Sequence, residues 1–170
     1  MASVSAVLKP KSQDEKIDIG LTDKYREDIS ASLSKILAST YKLTIKSHLY
    51  HWNVVGPLFK PLHELTEEHY NTLFAATDII AERIRALGHL APVDMGQAAK
   101  FAPAAGDVKH TSAIEMVNDL IAVHEEAVRD MREAAGTAGE ADDIVTEDML
   151  TARLTFHEKA LWMLRAIVAD

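Results

Sequence analysis

A chain of 170 residues with a formal charge of −8, 48% apolar and 26% charged, has the size and balance of one soluble globular domain. No apolar run approaches the roughly 18 residues of a membrane span. The start MASVSAVLKPKSQDEKIDIG lacks the apolar stretch of a secretion signal, and the absence of cysteine excludes disulfides and thiolate metal sites. Any transition-metal site must use His, Asp and Glu, a set that suits iron, manganese or zinc. The acidic balance repels nucleic acid and attracts cations.

Residues 1–21 read as a polar, aperiodic tail in which Lys9, Lys11 and Lys16 are matched by Asp14, Glu15 and Asp18. Residues 22–170 then carry four stretches of helical periodicity. The first spans Thr22 to Asn53, with Ile29, Leu33, Ile36, Thr40 and Leu43 three and four apart, and is stopped by Gly56 and Pro57. The second spans Phe59 to Leu87, tolerating Pro61 in its first turn and ending at Gly88. The third opens on a capping box of Ser112 and Glu115 and is expected to end near Gly136. The fourth spans Thr146 to Val168, with Glu147 and Asp148 in its first turn. No strand pattern or phosphate loop appears. An all-α, ferritin-like four-helix bundle follows, the first helix pairing with the second and the third with the fourth. The long crossover between these pairs includes a short extra helix at MGQAAKF.

The segment HWNVVGPLFKPLHEL concentrates the chemistry. In the second helix, Leu62, Leu65, His69, Leu73, Ala76, Ile80, Ile84 and Leu87 form an apolar stripe, while His63, Glu67, Tyr70, Phe74, Asp78 and Glu82 form another. The two stripes lie roughly 150° apart on a helical wheel, so the polar set faces away from the core. A di-iron bundle of the usual kind projects Glu and Glu-x-x-His inward; this chain contains no Glu-x-x-His. His63 and Asp78 are separated by roughly 22 Å of helix and cannot share a metal within one chain. An antiparallel two-fold pairing of two copies would bring them together and cover Tyr70 and Phe74. His51, just before the reversal, sits beside His63. The expected site has His51, His63 and Glu67 from one chain and Asp78 and Glu82 from its mate, a set that suits Fe(II) and its oxidation.

Plainer roles fit other residues. An i,i+4 carboxylate pair is usually a solvated helix face, and His63 alone would be a surface histidine. His69, His124 and His157 lie among aliphatic residues at helical spacing and read as buried, hydrogen-bonded core histidines. His48 fits an auxiliary ligand or an exposed surface residue equally. Trp52 and Trp162, by size, are core anchors.

The stretches HWNVVGPLFKPLHELTEEHY, DIIAERIRALG and HEKALWMLR closely resemble the Dps family, the ferritin-like DNA-binding proteins of starved cells, over residues 22–168. The resemblance implies a hollow homo-dodecamer that oxidises Fe(II), preferably with hydrogen peroxide, at two-fold interfaces and stores the Fe(III) product as mineral, protecting the cell from oxidative damage. It implies ligands His51 and His63 from one chain with Asp78 and Glu82 from the other. Glu67 stands where the family often has Asp, so its contact is direct or through water. Trp52 becomes an electron donor beside the site.

Taken alone, the acidic run EADDIVTED is a solvated loop and a charged helix start. In a Dps-like shell it approaches a three-fold axis, where Asp142, Asp143, Glu147 and Asp148 are the candidates to line an iron-entry pore. DNA binding in the family often uses a lysine-rich tail; this tail is charge-balanced. Weak or absent binding at physiological salt is expected, and a cytoplasmic location, nucleoid-associated only if DNA is held. The alternative is a nucleoid-compacting protein whose metal binding is secondary, and structural zinc is a third reading.

Overall fold

The computed structural model of the protein describes residues 17–92 and 112–169. They form four helices: α1 (Asp23–Asn53), α2 (Phe59–Ala86), α3 (Ala113–Glu140) and α4 (Ile144–Ile167). The extra helix expected at MGQAAKF, and most of the tail, lie outside the described residues. No helix among those described is long and apolar enough to cross a membrane.

Helix pairing follows from connection length. Short links fold α2 back on α1 and α4 back on α3, and α1 against α3 joins the two hairpins. The stripes read from periodicity are the core: Ile29, Leu33, Ile36 and Leu43 of α1 meet Leu73, Ile80, Ile84 and Leu87 from α2. Leu120 and Met131 of α3 and Leu150 and Leu164 of α4 complete it. α1 starts on Thr22, whose hydroxyl accepts from the Tyr25 amide, and α3 starts on the expected capping box. Two buried ties reinforce the apolar packing: Lys46 and the Tyr50 hydroxyl of α1 both reach Asp119 of α3, each at 2.5 Å.

The α3–α4 junction departs from the sequence reading. α3 runs through Gly136, which is helical, to Glu140; Gly139 near its end serves close packing, since a Cβ there would stand 3.1 Å from the Glu147 carboxylate. The chain turns instead at Asp142, at φ 58°, a left-handed conformation that Asp tolerates. α4 begins two residues before Thr146, because Asp143 caps it. The Asp143 carboxylate is 3% exposed and accepts from the Thr146 amide and hydroxyl, from Arg83 at 2.7 Å and from the Tyr25 hydroxyl at 3.0 Å. One carboxylate thus ties α4 to the end of α2 and the start of α1.

The tryptophans are a second departure. Trp52 is 65% and Trp162 68% exposed, so neither anchors the core. Each lies off the buried stripe of its helix, which passes through Tyr50 and His51 in α1 and through Leu161 and Leu164 in α4.

His69, His124 and His157 are buried as expected, but only partly hydrogen-bonded. His124 and His157 share one bond, Nδ1 to Nδ1 at 2.9 Å, across the α3–α4 seam. Both Nε2 atoms, and Nδ1 of His69, have no partner. Burial, then the nearby Arg153 and His69, pushes His157 down to about 3, and burial with His157 and His69 lowers His124.

Two outcomes are expected. Asp143→Ala leaves Arg83 and the α4 amides without their partner and should cost about 3–5 kcal/mol in denaturant unfolding, as for other broken buried pairs. Acid should weaken the fold through the histidines. Their folded values lie below the free-histidine value of about 6.5, so unfolding takes up protons only below it. Stability should hold above that pH and fall by up to about 1.4 kcal/mol per pH unit per histidine beneath it. His157→Asn, which keeps a bonding atom at the δ position without titrating, should flatten that slope in unfolding curves taken between pH 7 and 4.

Candidate metal centre

The site begins where α1 turns into α2. Gly56 takes φ 87° in the reversal, and its carbonyl accepts from the Phe59 amide at 3.0 Å as α2 starts. This sets His51, in the last turn of α1, against His63 of α2. Their rings stack with centroids 3.7 Å apart and planes 16° from parallel.

Each ring is held by the other residue's backbone. His51 Nδ1 lies 2.8 Å from the His63 carbonyl oxygen, and His63 Nδ1 lies 2.9 Å from the His51 carbonyl oxygen. A carbonyl oxygen only accepts, so each Nδ1 carries a proton and donates it. In the neutral rings Nε2 is then a bare lone pair on both histidines, the form that ligates a metal. The pair is preset in tautomer and ring orientation by main-chain atoms alone.

Around this pair lie aromatic rings. Phe59 stacks on His63 with centroids 5.1 Å apart. His48 is half-buried, its ring 3.9 Å from Tyr70 and 5.3 Å from Trp52 and stacked on both. Tyr70 meets the His51 ring edge-on at 5.3 Å. Glu67 is exposed, one turn beyond His63.

Asp78 and Glu82 stand farther along the same outward stripe of α2, both exposed. At about 1.5 Å per residue they lie some 22 Å or more from His63 along the helix. Among the described residues, no group of three or more His, Cys, Asp or Glu converges to hold a metal within one chain. The chain therefore brings His51 and His63 together, with Glu67 and Trp52 nearby, and leaves Asp78 and Glu82 apart from them. Phe74 is 63% exposed, and Phe59 and Trp52 are also exposed. Large apolar side chains uncovered on the same helix face as the carboxylates suit coverage by another protein surface.

The pore candidates divide. Asp142, Glu147 and Asp148 are exposed, whereas the Asp143 carboxylate is buried and committed to Tyr25, Arg83 and Thr146. Sequence reasoning missed that structural role. It also gave Tyr70 and Phe59 no part in the site, although Tyr70 follows Glu67 by three residues and Phe59 precedes His63 by four, both same-face spacings on a helix.

Comparison with known proteins agrees with this architecture. The ferritin-like domain family matches residues 30–170. An uncharacterized low temperature-induced protein of a Nostoc species is 42% identical over 157 residues, covering 90% of this chain and 87% of that protein. The DNA protection during starvation protein of Brevibacillus brevis is 34% identical over 140 residues, covering 82% of this chain and 94% of the relative. The crystal structure of a Dps protein from Bacillus brevis superposes with a TM-score of 0.79 at 32% identity, covering 88% of this chain and all of that one. With the four-helix fold and the outward-facing stripe of α2, these matches place the chain in the Dps family of ferritin-like proteins.

Proposed function

We propose that the protein is a ferroxidase and iron store, and that its bundle, residues 22–170, assembles as a dodecameric cage with residues 1–21 as a tail. The observation that carries this reading is the reciprocal bonding of His51 and His63, which commits both Nδ1 atoms to backbone carbonyls and so makes each Nε2 the lone pair that can ligate a metal. Fe(II) is the substrate. His51 and His63 would bind it with the partner subunit's Asp78 and the partner subunit's Glu82, and Glu67 would supply a further oxygen. Anionic oxygens favour Fe(III) over Fe(II), so this ligand set promotes loss of the electron.

Hydrogen peroxide is the oxidant that fits a paired site. Two Fe(II) ions give one electron each, the O–O bond breaks, and two protons complete two waters, so no hydroxyl radical is released. When one iron alone is present, Trp52, exposed and stacked on His48, would supply the second electron. Asp142, Glu147 and Asp148 would draw cations toward an entry pore, without Asp143. Such a protein would act in the cytoplasm, limiting iron-driven oxidative damage.

The names of the relatives keep DNA protection in view. A net charge of −8 and a charge-balanced tail support protection by chemistry rather than by coating DNA. Gel shifts should show weak or no DNA retention at physiological salt; tight retention there would move the nucleoid-compacting reading to the front.

The deciding experiment is anaerobic Fe(II) loading of the assembled protein, followed by substoichiometric peroxide. Rapid formation of protein-retained ferric absorbance, at about two Fe(II) per peroxide, is expected. His51→Ala and Asp78→Ala should leave assembly intact by light scattering and slow oxidation by roughly 10- to 100-fold, the usual scale for disturbed metal sites. Oxidation no faster than in buffer, with rust precipitating, would refute the assignment.

A further inference from the structure

Five rings run in continuous contact from an exposed side chain to the histidine pair. Trp52, 65% exposed, stacks on His48 with centroids 5.3 Å apart. His48 stacks on Tyr70 at 3.9 Å, with the planes 22° from parallel. Tyr70 meets the His51 ring edge-on at 5.3 Å, and His51 lies 3.7 Å from His63. Burial deepens along the series: His48 and Tyr70 are half-buried and His51 is buried.

The order of the rings bears on electron supply. At a site holding one Fe(II), peroxide finds a single electron on iron. It needs a second if its O–O bond is to break without releasing hydroxyl radical. Trp52 and His51 are neighbours in the chain, yet adjacent side chains on a helix do not face each other. The ring at the edge of His51 is that of Tyr70. Tyrosine and tryptophan are the aromatic side chains that give up an electron most readily. Imidazole holds its electrons more tightly, so His48 is a bridge. It fills the gap between two oxidisable rings with stacked π orbitals, through which an electron tunnels better than through water.

We propose that Tyr70 delivers the second electron to a singly loaded iron site, and that Trp52 refills it through His48. In the first step Fe(II) becomes Fe(III), the Tyr70 phenol becomes a neutral phenoxyl radical, and the O–O bond of peroxide breaks. The phenol proton completes one water and a solvent proton the other. In the second step Trp52 gives an electron to the phenoxyl. Its indole proton passes to solvent and the phenoxyl takes one back, leaving the radical on an exposed side chain. The inference rests on the ferroxidase reading above and adds to it a redox residue that binds no metal.

Tyr70→Phe tests this, since it keeps the stacked ring and removes the oxidisable phenol. The assembled protein is loaded anaerobically with one Fe(II) per site, mixed with peroxide and freeze-quenched for electron paramagnetic resonance. The unaltered chain should give a tyrosyl signal that narrows when its four tyrosines carry ring deuterium. Tyr70→Phe should lose that signal and release more spin-trapped hydroxyl radical per peroxide. Trp52→Phe and His48→Ala should keep the signal and prolong its decay, since each cuts the supply behind Tyr70. Co(II) should bind Tyr70→Phe as tightly as the unaltered chain, which separates electron delivery from a structural role. A tyrosyl signal surviving in Tyr70→Phe would place the radical on another tyrosine and overturn the proposal. No signal from the unaltered chain, or weakened Co(II) binding in Tyr70→Phe, would overturn it too, and an unchanged decay in His48→Ala would overturn the route from Trp52. All of these leave the ferroxidase reading standing, whereas Fe(II) oxidation no faster than in buffer sinks both.

Discussion

The exchange of hydrogen bonds between His51 and His63 across the Gly56 reversal is the constraint on which the rest of the molecule depends. The last four carbonyls of a helix have no intrahelical partner. The carbonyl of His51 is one of these at the end of α1, and it is met by the imidazole of His63. The return bond, from His51 Nδ1 to the His63 carbonyl, closes the exchange. Helix termination and ligand preparation are therefore one set of contacts. The reversal that permits it requires a residue at φ 87°, which is why glycine stands at position 56.

The bundle interior explains why the metal chemistry lies outside it. The inward stripe of α2 is aliphatic apart from His69 and small residues, and its carboxylates all fall on the opposite side. Among the described residues the buried charges are spent: Asp143 on Arg83, Tyr25 and Thr146, Lys46 on Asp119, and Arg26 on Asp23 and the Leu87 carbonyl. An ion inside would need carboxylates that the interior lacks. On the outer face carboxylates are available, but a rigid helix keeps Asp78 and Glu82 far from the histidines. Helix geometry, rather than any local preference, makes the complete ligand set a property of two chains.

Much of this was legible in the sequence. Apolar spacing gave the four helices and their inward residues, because a 3.6-residue period and a single core allow little else. The pairing of His51 with His63 was readable from the Gly-Pro break that forces a tight reversal between them. The α3–α4 corner was not, because Gly139 and Asp143 act through tertiary contacts: one makes room for Glu147, and the other is bonded by residues from three helices. A glycine in sequence looks like a stop and an aspartate in an acidic run looks solvated. Trp52 and Trp162 misled for a related reason, since size suggests burial whereas helical phase places both outside. Tyr70 was visible as part of the outward stripe, but its ring contacts with His48 and His51 depend on rotamers that spacing does not specify.

The histidines show how the same side chain is given different work. In the core pair, Nδ1 of His124 faces Nδ1 of His157, and either ring can be the donor. One Nε2 then carries a proton and the other does not, with no partner for either to decide between the two arrangements. In the His51–His63 pair each Nδ1 faces a backbone carbonyl, which can never donate. The tautomer is fixed twice over, and both Nε2 atoms are left as acceptors at the same time. Two imidazoles offering lone pairs together require acceptors behind both of them, and the backbone of a tight helix reversal supplies those acceptors without a single further side chain.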